Sequence, residues 1–166
     1  MTDAETMEIA LTVNGERVSR TVLVRRHLVD FLRIDLGLTG SHLGCEHGVC
    51  GACSVRLDGV VVRGCLLLAV QADGCDVVTI EGLDQSGEVA DLQQTFVARN
   101  ALQCGFCTPG MLMTAAELLA DPQPKTREEI RTFLSGNYCR CTGYHAIVDA
   151  VATTLDERVK RGGGHG

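Results

Sequence analysis

The chain has 166 residues, which suits one domain of ordinary size or two small ones. Its formal net charge of −6 argues against nucleic acid or an anionic membrane as a partner. No run of about 20 apolar residues is present, so the sequence predicts no membrane span. Aromatic residues make up only 4% and Trp is absent, so each half needs another source of stability, such as a metal site.

The first half of the chain predicts a small sheet with one helix. Asn14-Gly15 and Asp58-Gly59 are typical of tight turns, and each is flanked by alternating apolar residues. Apolar side chains at helical spacing predict a helix over residues 27–36, with Gly37 as its C-terminal stop. The predicted strands cover residues 8–13, 17–24, 52–57, 60–63 and 77–80.

The first set of four cysteines has the spacing of an iron–sulfur site. Cys45-x4-Cys50-x2-Cys53, with Cys65 after eleven intervening residues, is the plant-type [2Fe–2S] pattern of three ligands in one loop and a fourth beyond it. Glycines alternate with these cysteines. Residues without a Cβ let the backbone pass close to a cluster and direct N–H groups at its sulfurs. We therefore predict a [2Fe–2S] cluster in this loop.

Other interpretations of this region remain open at this point. Four thiolates also suit a structural zinc ion. His47 lies inside the loop, where a Rieske-type centre would use histidine, but all four cysteines are present and we interpret it as a loop side chain. Cys75 belongs to neither set and is interpreted as an ordinary turn thiol, with a redox role as the alternative.

The second half predicts helices. Residues 82–90 are polar and acidic, and we interpret them as a linker between two domains. Residues 89–101 predict a helix whose inner face carries Leu92 and Phe96, with Val97 as a third candidate. A capping box, Thr126-x-x-Glu129, predicts another helix over residues 127–134.

The second set of cysteines consists of Cys104-x2-Cys107 and, at long range, Cys139-x-Cys141. Thr108-Pro109 follows the first pair, and this is a favourable helix start. Thr142-Gly143 follows the second pair and precedes an apolar periodic run. Helix N-termini favour anions, so two of them would stabilise an anionic [2Fe–2S] centre, although this spacing alone also permits zinc. The apolar run is Ile147, Val148, Val151 and Leu155.

The sequence predicts no catalytic residue of its own. It contains no G-x-G-x-x-G after a predicted strand, no P-loop, no H-E-x-x-H and no triad-like arrangement. The N-terminus is polar and acidic, without the apolar core of a signal peptide. A cysteine-rich chain of this kind is more often metal-binding than disulfide-bonded, and we expect a cytoplasmic protein.

Three segments together resemble a known family. Residues 44–53 (GCEHGVCGAC), 103–110 (QCGFCTPG) and 136–144 (GNYCRCTGY) are similar to the iron–sulfur small subunit of molybdenum hydroxylases, the family that includes xanthine dehydrogenase and aerobic carbon monoxide dehydrogenase. The resemblance implies an α+β fold with an N-terminal β-grasp (plant-type ferredoxin-like) domain and a C-terminal four-helix bundle. The implied domains are residues 1–81 and 91–161, with a linker at 82–90 and a flexible tail at 162–166.

The resemblance also implies a function and partners. The chain would be the electron-transfer subunit of an oxidoreductase, beside a large molybdopterin subunit and a medium FAD subunit, in a dimer of heterotrimers. Electrons would reach the helical-domain cluster first and leave through the ferredoxin-like cluster. By resemblance, Gln103 would hydrogen-bond the pterin and the region of Cys141 would contact its amino group.

Two other functions are compatible with cysteine-rich sequence patterns of this kind. A free-standing two-cluster ferredoxin would shuttle electrons between enzymes and would be monodisperse alone. A zinc-binding scaffold would be colourless, whereas iron–sulfur clusters would make the protein red-brown.

Overall fold

Two local hairpins are joined into one sheet in the computed structural model, which describes residues 5–162. The sheet order is β2-β1-β5-β3-β4, five strands in the described part of the chain. β5 runs parallel to β1 and antiparallel to β3, so the last strand lies at the centre. The strands are β1 (Thr6–Val13), β2 (Glu16–Leu23), β3 (Ser54–Leu57), β4 (Val60–Arg63) and β5 (Asp76–Val78).

Both predicted tight turns are confirmed. Asn14 and Gly15 have φ values of 51° and 83°, and Asp58 and Gly59 have 47° and 85°. Positive φ at both central residues is the geometry that twisted two-residue hairpins need, which is why Asn-Gly and Asp-Gly are found there. The prediction that β5 extends to Ile80 is wrong, because the strand ends at Val78 and Ile80 is the first residue of a helix.

The first helix crosses the sheet as a composite element. α1 (Leu28–Asp30) continues directly into a π-helical turn, Phe31–Asp35, in which the Leu36 N–H donates to the Phe31 carbonyl oxygen at 3.2 Å. Leu28, Phe31 and Leu32 are fully buried, as their spacing predicts. Gly37 has a φ of 72° and ends the helix, as predicted.

Five further helices occupy the second half of the described chain. Four of them were predicted, and the fifth, α2, lies in the segment that we predicted as a linker. α2 begins in the residues after β5 and ends at Gly87, whose φ is 74°. The division of the chain into domains stays a prediction. The helices are α2 (Ile80–Ser86), α3 (Ala90–Ala98), α4 (Thr108–Leu119), α5 (Arg127–Phe133) and α6 (His145–Gly162).

The buried apolar side chains form two main clusters. One lies between the sheet and α1, and the other is shared by α2 to α6. The four apolar residues predicted for the inner face of α6 all belong to the second cluster, as do Leu92 and Phe96. Val97 does not: its side chain is 68% exposed, because it follows Phe96 by one residue and therefore points away from the helical core.

Helix ends confirm the capping predictions only in part. The Thr126 hydroxyl accepts from the Glu129 N–H, and the Glu129 carboxylate accepts from the Thr126 N–H, as the capping box predicts. At α4, by contrast, Cys107 and not Thr108 is the cap residue. None of the helices within residues 5–162 is long and apolar enough to cross a membrane. Of the tail predicted at 162–166, Gly162 ends α6 and the other four residues lie outside the described part.

Candidate functional site

The first four cysteines are grouped two by two. Cys45 and Cys50 lie at the half-exposed rim of the loop, where the Cys50 N–H donates to the Cys45 sulfur at 3.4 Å. Cys53 and Cys65 form the inner pair: both are almost fully buried and pack with Val29 in one small cluster. A [2Fe–2S] cluster has two irons with two thiolates each, so this arrangement fits that donor set.

The backbone of the first loop is held by the surrounding elements. The Arg33 guanidinium donates to the carbonyl oxygens of Thr39 and Ser41, at 2.5 and 2.7 Å. The Glu81 carboxylate, on α2, accepts from the Gly40 N–H at 2.7 Å. A cation and an anion therefore fix three consecutive residues at the start of the loop. Neither Arg33 nor Glu81 has a local sequence signal for this role, because the contacts that define it are formed by tertiary folding.

The second four cysteines are also grouped in pairs, although they come from segments far apart in the chain. The sulfurs of Cys104 and Cys141 are 3.5 Å apart and exposed. Cys107 and Cys139 are partly buried and both pack against the helical core. The fold thus brings together the long-range set that the spacing suggested, as an outer and an inner pair.

The start of α4 and two short-range hydrogen bonds support the second set, whereas α6 begins only at His145, four residues after Cys141. Cys107 caps α4, where the free N–H groups of the first turn favour negative charge. The Thr142 hydroxyl donates to the Cys139 sulfur at 3.1 Å, and the Cys139 N–H donates to the Tyr144 hydroxyl at 2.9 Å. Thr142 and Tyr144 lie one and three residues after Cys141, so the presence of hydroxyl side chains close to the ligands is a sequence signal for this role.

The protonation of these thiols depends on their surroundings. Hydrogen bonds from the backbone N–H groups of His47 and Cys50 lower the pKa of the Cys45 thiol to about 6. Burial raises the pKa of Cys53 to about 12, and burial also raises the pKa of Cys107 to about 12. Buried thiols that lie against other thiols need a cation to become thiolates, and a coordinated metal supplies that charge. Cys53 and Cys107, one thiol of each inner pair, therefore suit sites in which a metal supplies that charge.

The two cysteine loops contact each other directly. The Tyr138 N–H donates to the Cys50 carbonyl oxygen at 2.9 Å. Tyr138 is next to Cys139 of the second set and Cys50 belongs to the first, so this hydrogen bond joins the two loops. The His42 ring stacks on the Phe106 ring, with centroids 4.7 Å apart. The structure therefore places the two sets side by side, although they are separated by about 40 residues or more of chain.

Four large apolar side chains near the cysteines remain exposed. Each is next in sequence to one of the eight cysteines, two of them beside ligands of the first set and two beside ligands of the second. Large apolar side chains exposed at a functional site are typical of a surface that another chain covers. They are Val49 (43% exposed), Leu66 (61%), Phe106 (47%) and Tyr138 (54%).

The remaining candidates are placed as follows. Gln103 is exposed beside the outer pair Cys104/Cys141. The His47 ring nitrogen Nδ1 lies 2.5 Å from the Cys45 carbonyl oxygen, as expected for a loop side chain. Cys75 is a free thiol apart from both sets, and burial raises its pKa. Within residues 5–162, no three side chains of His, Cys, Asp or Glu converge on one point suited to a single metal ion.

Sequence families match both halves of the chain. Residues 11–74 match the family described as 2Fe-2S iron-sulfur cluster binding domain. Residues 79–152 match the family described as [2Fe-2S] binding domain. The two matched segments contain all eight grouped cysteines. The chain therefore contains two [2Fe–2S] binding domains.

Several characterised proteins are similar over nearly the whole chain. The gamma subunit of caffeine dehydrogenase from Pseudomonas sp. (strain CBB1) is 52% identical over 86% of this chain and 87% of its own length. The xanthine dehydrogenase iron-sulfur-binding subunit of Escherichia coli O157:H7 is 42% identical over 91% of this chain and 96% of its own. In the crystal structure of quinoline 2-oxidoreductase from Pseudomonas putida 86, one chain superposes with a TM-score of 0.87 at 50% identity, covering 95% of this chain and 98% of that one.

Proposed function

Because this chain belongs to the family of iron–sulfur small subunits of xanthine dehydrogenase-type molybdenum hydroxylases, we propose that it relays electrons from a molybdopterin centre on a large subunit to FAD on a medium subunit. The observation that carries the proposal is the grouping of eight cysteines into two sets of two pairs, joined at Tyr138 and Cys50. A [2Fe–2S] cluster accepts and releases one electron at a time, which splits a two-electron oxidation into single transfers.

The roles proposed for the two sites follow from their exposure. The Cys104/Cys141 pair opens to the surface beside Gln103, where a partner's cofactor can approach. The exposed Gln103 amide has both donors and an acceptor, which suits hydrogen bonds to a pterin ring. This site would therefore receive electrons, with Gln103 and Cys141 next to the pterin. The Cys45/Cys50 rim would then be the exit toward the flavin.

The exposed apolar side chains support the assignment of two partner subunits. Val49 and Leu66 lie beside ligands of the first set, and Phe106 and Tyr138 lie beside ligands of the second, so apolar surface is exposed next to both sets. This proposal includes a dimer of heterotrimers in the cytoplasm, where thiols stay reduced until metal is inserted. It also includes the finer architecture: a β-grasp domain followed by a four-helix bundle of α3 to α6, with α2 leading from the sheet into the bundle.

Iron, zinc and acid-labile sulfide per chain, together with low-temperature EPR of the dithionite-reduced complex, test the proposal. We expect about four iron and four sulfide with two distinct [2Fe–2S] signals, one broadened by a molybdenum(V) centre on the partner. Zinc in place of iron would favour the scaffold function. Co-purification with partner subunits that lack molybdopterin would contradict the proposal.

The free-standing ferredoxin makes a different prediction for the isolated chain. It would be monodisperse and would accept electrons from a reductase at a normal rate. The relay subunit exposes apolar surface when alone, so we expect it to self-associate unless its partners are present. Size-exclusion chromatography of the chain with and without co-expressed partners separates these outcomes.

A further inference from the structure

Asn137 is a buried amide that connects three elements of the fold. Its side chain is 1% exposed and lies two residues before Cys139. The Oδ1 atom accepts from the Arg63 guanidinium at 3.2 Å and from the Thr114 hydroxyl at 3.0 Å. The Nδ2 atom donates to the Gly51 carbonyl oxygen at 3.2 Å. One side chain therefore joins the end of β4, the helix α4 and the first cysteine loop.

The contact with Asn137 leaves no room for a side chain at Gly51. Gly51 lies between Cys50 and Cys53 and has a φ of 73°. A Cβ at this position would lie 2.7 Å from Asn137 Cγ and 2.7 Å from the Gly136 carbonyl oxygen. The two loops thus approach each other at their backbones, and the amide of Asn137 fills the contact.

Arg63 completes the junction from the other side. Its guanidinium donates to the Ser54 hydroxyl and to the Gly136 carbonyl oxygen, the latter at 2.8 Å. Arg63 precedes Cys65 by two residues, as Asn137 precedes Cys139. A displacement of the amide would therefore be transmitted to ligands of both sets over a very short length of chain.

We propose that Asn137 is a positioning residue that fixes the distance between the two clusters, and so the rate at which an electron passes between them. The inference rests on the proposed relay function. The step moves one electron, so that one site is oxidised and the other is reduced without a proton or a broken bond. Electron tunnelling weakens steeply with distance, and a small relaxation of the junction would slow the transfer.

The chemistry of the amide shows which substitution isolates this role. In Asn137→Asp, the carboxylate can still accept from Arg63 and Thr114, but it has no N–H for Gly51 and places negative charge against a carbonyl oxygen. In Asn137→Ala, all three contacts are lost: the Thr114 hydroxyl loses its partner, whereas Gly51 and Arg63 keep their hydrogen bonds to Ser54. The space left by the amide would be relieved by movement of the loops or by water. The first variant therefore alters the contact between the loops with the smaller disturbance.

The test measures the dipolar splitting between the two reduced clusters by EPR, in the complex purified with its partner subunits. We expect the splitting to decrease or broaden in Asn137→Asp at unchanged iron content, and the rate of electron transfer between the clusters to fall. Thr154→Val is the matched control: this buried hydroxyl donates to the Ala150 carbonyl oxygen within α6, an element that is not part of either cysteine loop. Its splitting should equal that of the wild type.

The outcomes separate the inference from the proposed function. A wild-type complex without two [2Fe–2S] signals would refute the relay itself. Two normal signals with an unchanged splitting in both Asn137→Asp and Asn137→Ala would refute the positioning role alone. An equal change in Thr154→Val would also overturn it, since the effect would then follow from general destabilisation.

Discussion

Gly110, in the first turn of α4, lies against the carbonyl oxygen of Gly51 in the first cysteine loop. A Cβ on Gly110 would overlap that oxygen and would lie 3.2 Å from the Ala52 Cα. Both neighbours are backbone atoms, which cannot move aside as a flexible side chain can. The helix that begins beside Cys107 is thus packed on the loop of the other site, and only glycine fits at this contact.

Substitution of Gly110 by alanine should separate α4 from the first cysteine loop. We expect a loss of about 1–3 kcal/mol in the free energy of unfolding, because overpacking a rigid contact forces the backbone to shift. Gly162→Ala is the control, since a Cβ there meets no atom within 4 Å at the end of α6. Thermal unfolding of both variants checks the prediction, and equal melting temperatures would contradict it.

Substitution of a single cysteine should remove one site and leave the other. Cys65→Ser changes an inner ligand of the first set, so we expect iron to fall from about four to about two per chain and one EPR signal to disappear. Cys75→Ser serves as the control, because Cys75 belongs to neither set, and it should keep all the iron. Loss of iron in Cys75→Ser would show that the assignment of the ninth cysteine is wrong.

The hydroxyl of Thr142 should tune the potential of the second site. It donates to the Cys139 sulfur and is among the hydrogen bonds that lower the pKa of that thiol in spite of its burial. A hydrogen bond to a cluster sulfur stabilises the more negative, reduced form. A bond worth about 1 kcal/mol corresponds to about 40 mV for one electron, so Thr142→Val should lower one midpoint potential by tens of millivolts.

A redox titration followed by EPR measures this shift. Thr142→Ser keeps the hydroxyl and should restore the wild-type potential. Thr153→Val, which removes a hydroxyl that donates to the Asp149 carbonyl oxygen in α6, should leave both potentials unchanged. A midpoint in Thr142→Val equal to that of the wild type would mean that the sulfur gains nothing from this donor.

The ion pair between Asp91 and Arg158 should make stability depend on pH. Arg158 donates to both carboxylate oxygens of Asp91, at 2.7 and 2.9 Å, and these hydrogen bonds hold the pKa of Asp91 below its usual range. A carboxylate with a lowered pKa in the folded state stabilises the fold above its unfolded pKa of about 3.9. That contribution disappears as the pH falls through the lower, folded value.

We therefore expect Asp91→Asn to lose about 1 kcal/mol at pH 7, and the difference from the wild type to shrink between pH 5 and pH 3. Asp156→Asn, at an exposed carboxylate on α6, should not differ from the wild type at either pH. Melting temperatures of the three proteins at each pH test this prediction. Acid damage to the metal sites affects all three alike, so the differences between them report the ion pair. A difference that grew on acidification would have the wrong sign for this pair.

Local patterns were sufficient to predict most of the elements. Asn14-Gly15 and Asp58-Gly59 located both hairpins because a two-residue turn needs positive φ at adjacent positions. The spacing of Cys45, Cys50 and Cys53 indicated the first site within one loop. These features are determined by neighbours in sequence, which is why the sequence alone reveals them.

Features that depend on tertiary contacts were missed. α2 has polar residues and glycine, and its stability comes from Leu83 in the helical core and from Thr79, whose N–H donates to the Asn14 side chain at 2.8 Å. Asn137 likewise has no local signal beyond its position in the motif at 136–144. Its role depends on Gly51, which lies 86 residues away in the chain. Such partners become visible only when the chain is folded.

The central position of β5 has a consequence for the order of folding. Each hairpin closes locally, but β5 pairs Asp76 with Thr12 and Val78 with Arg56, so the two hairpins become one sheet only after residue 78 has been synthesised. All four cysteines of the first set precede β5. The sheet that supports the first site is therefore completed by a strand that follows all four of its ligands, so during synthesis the ligands emerge before their scaffold can close.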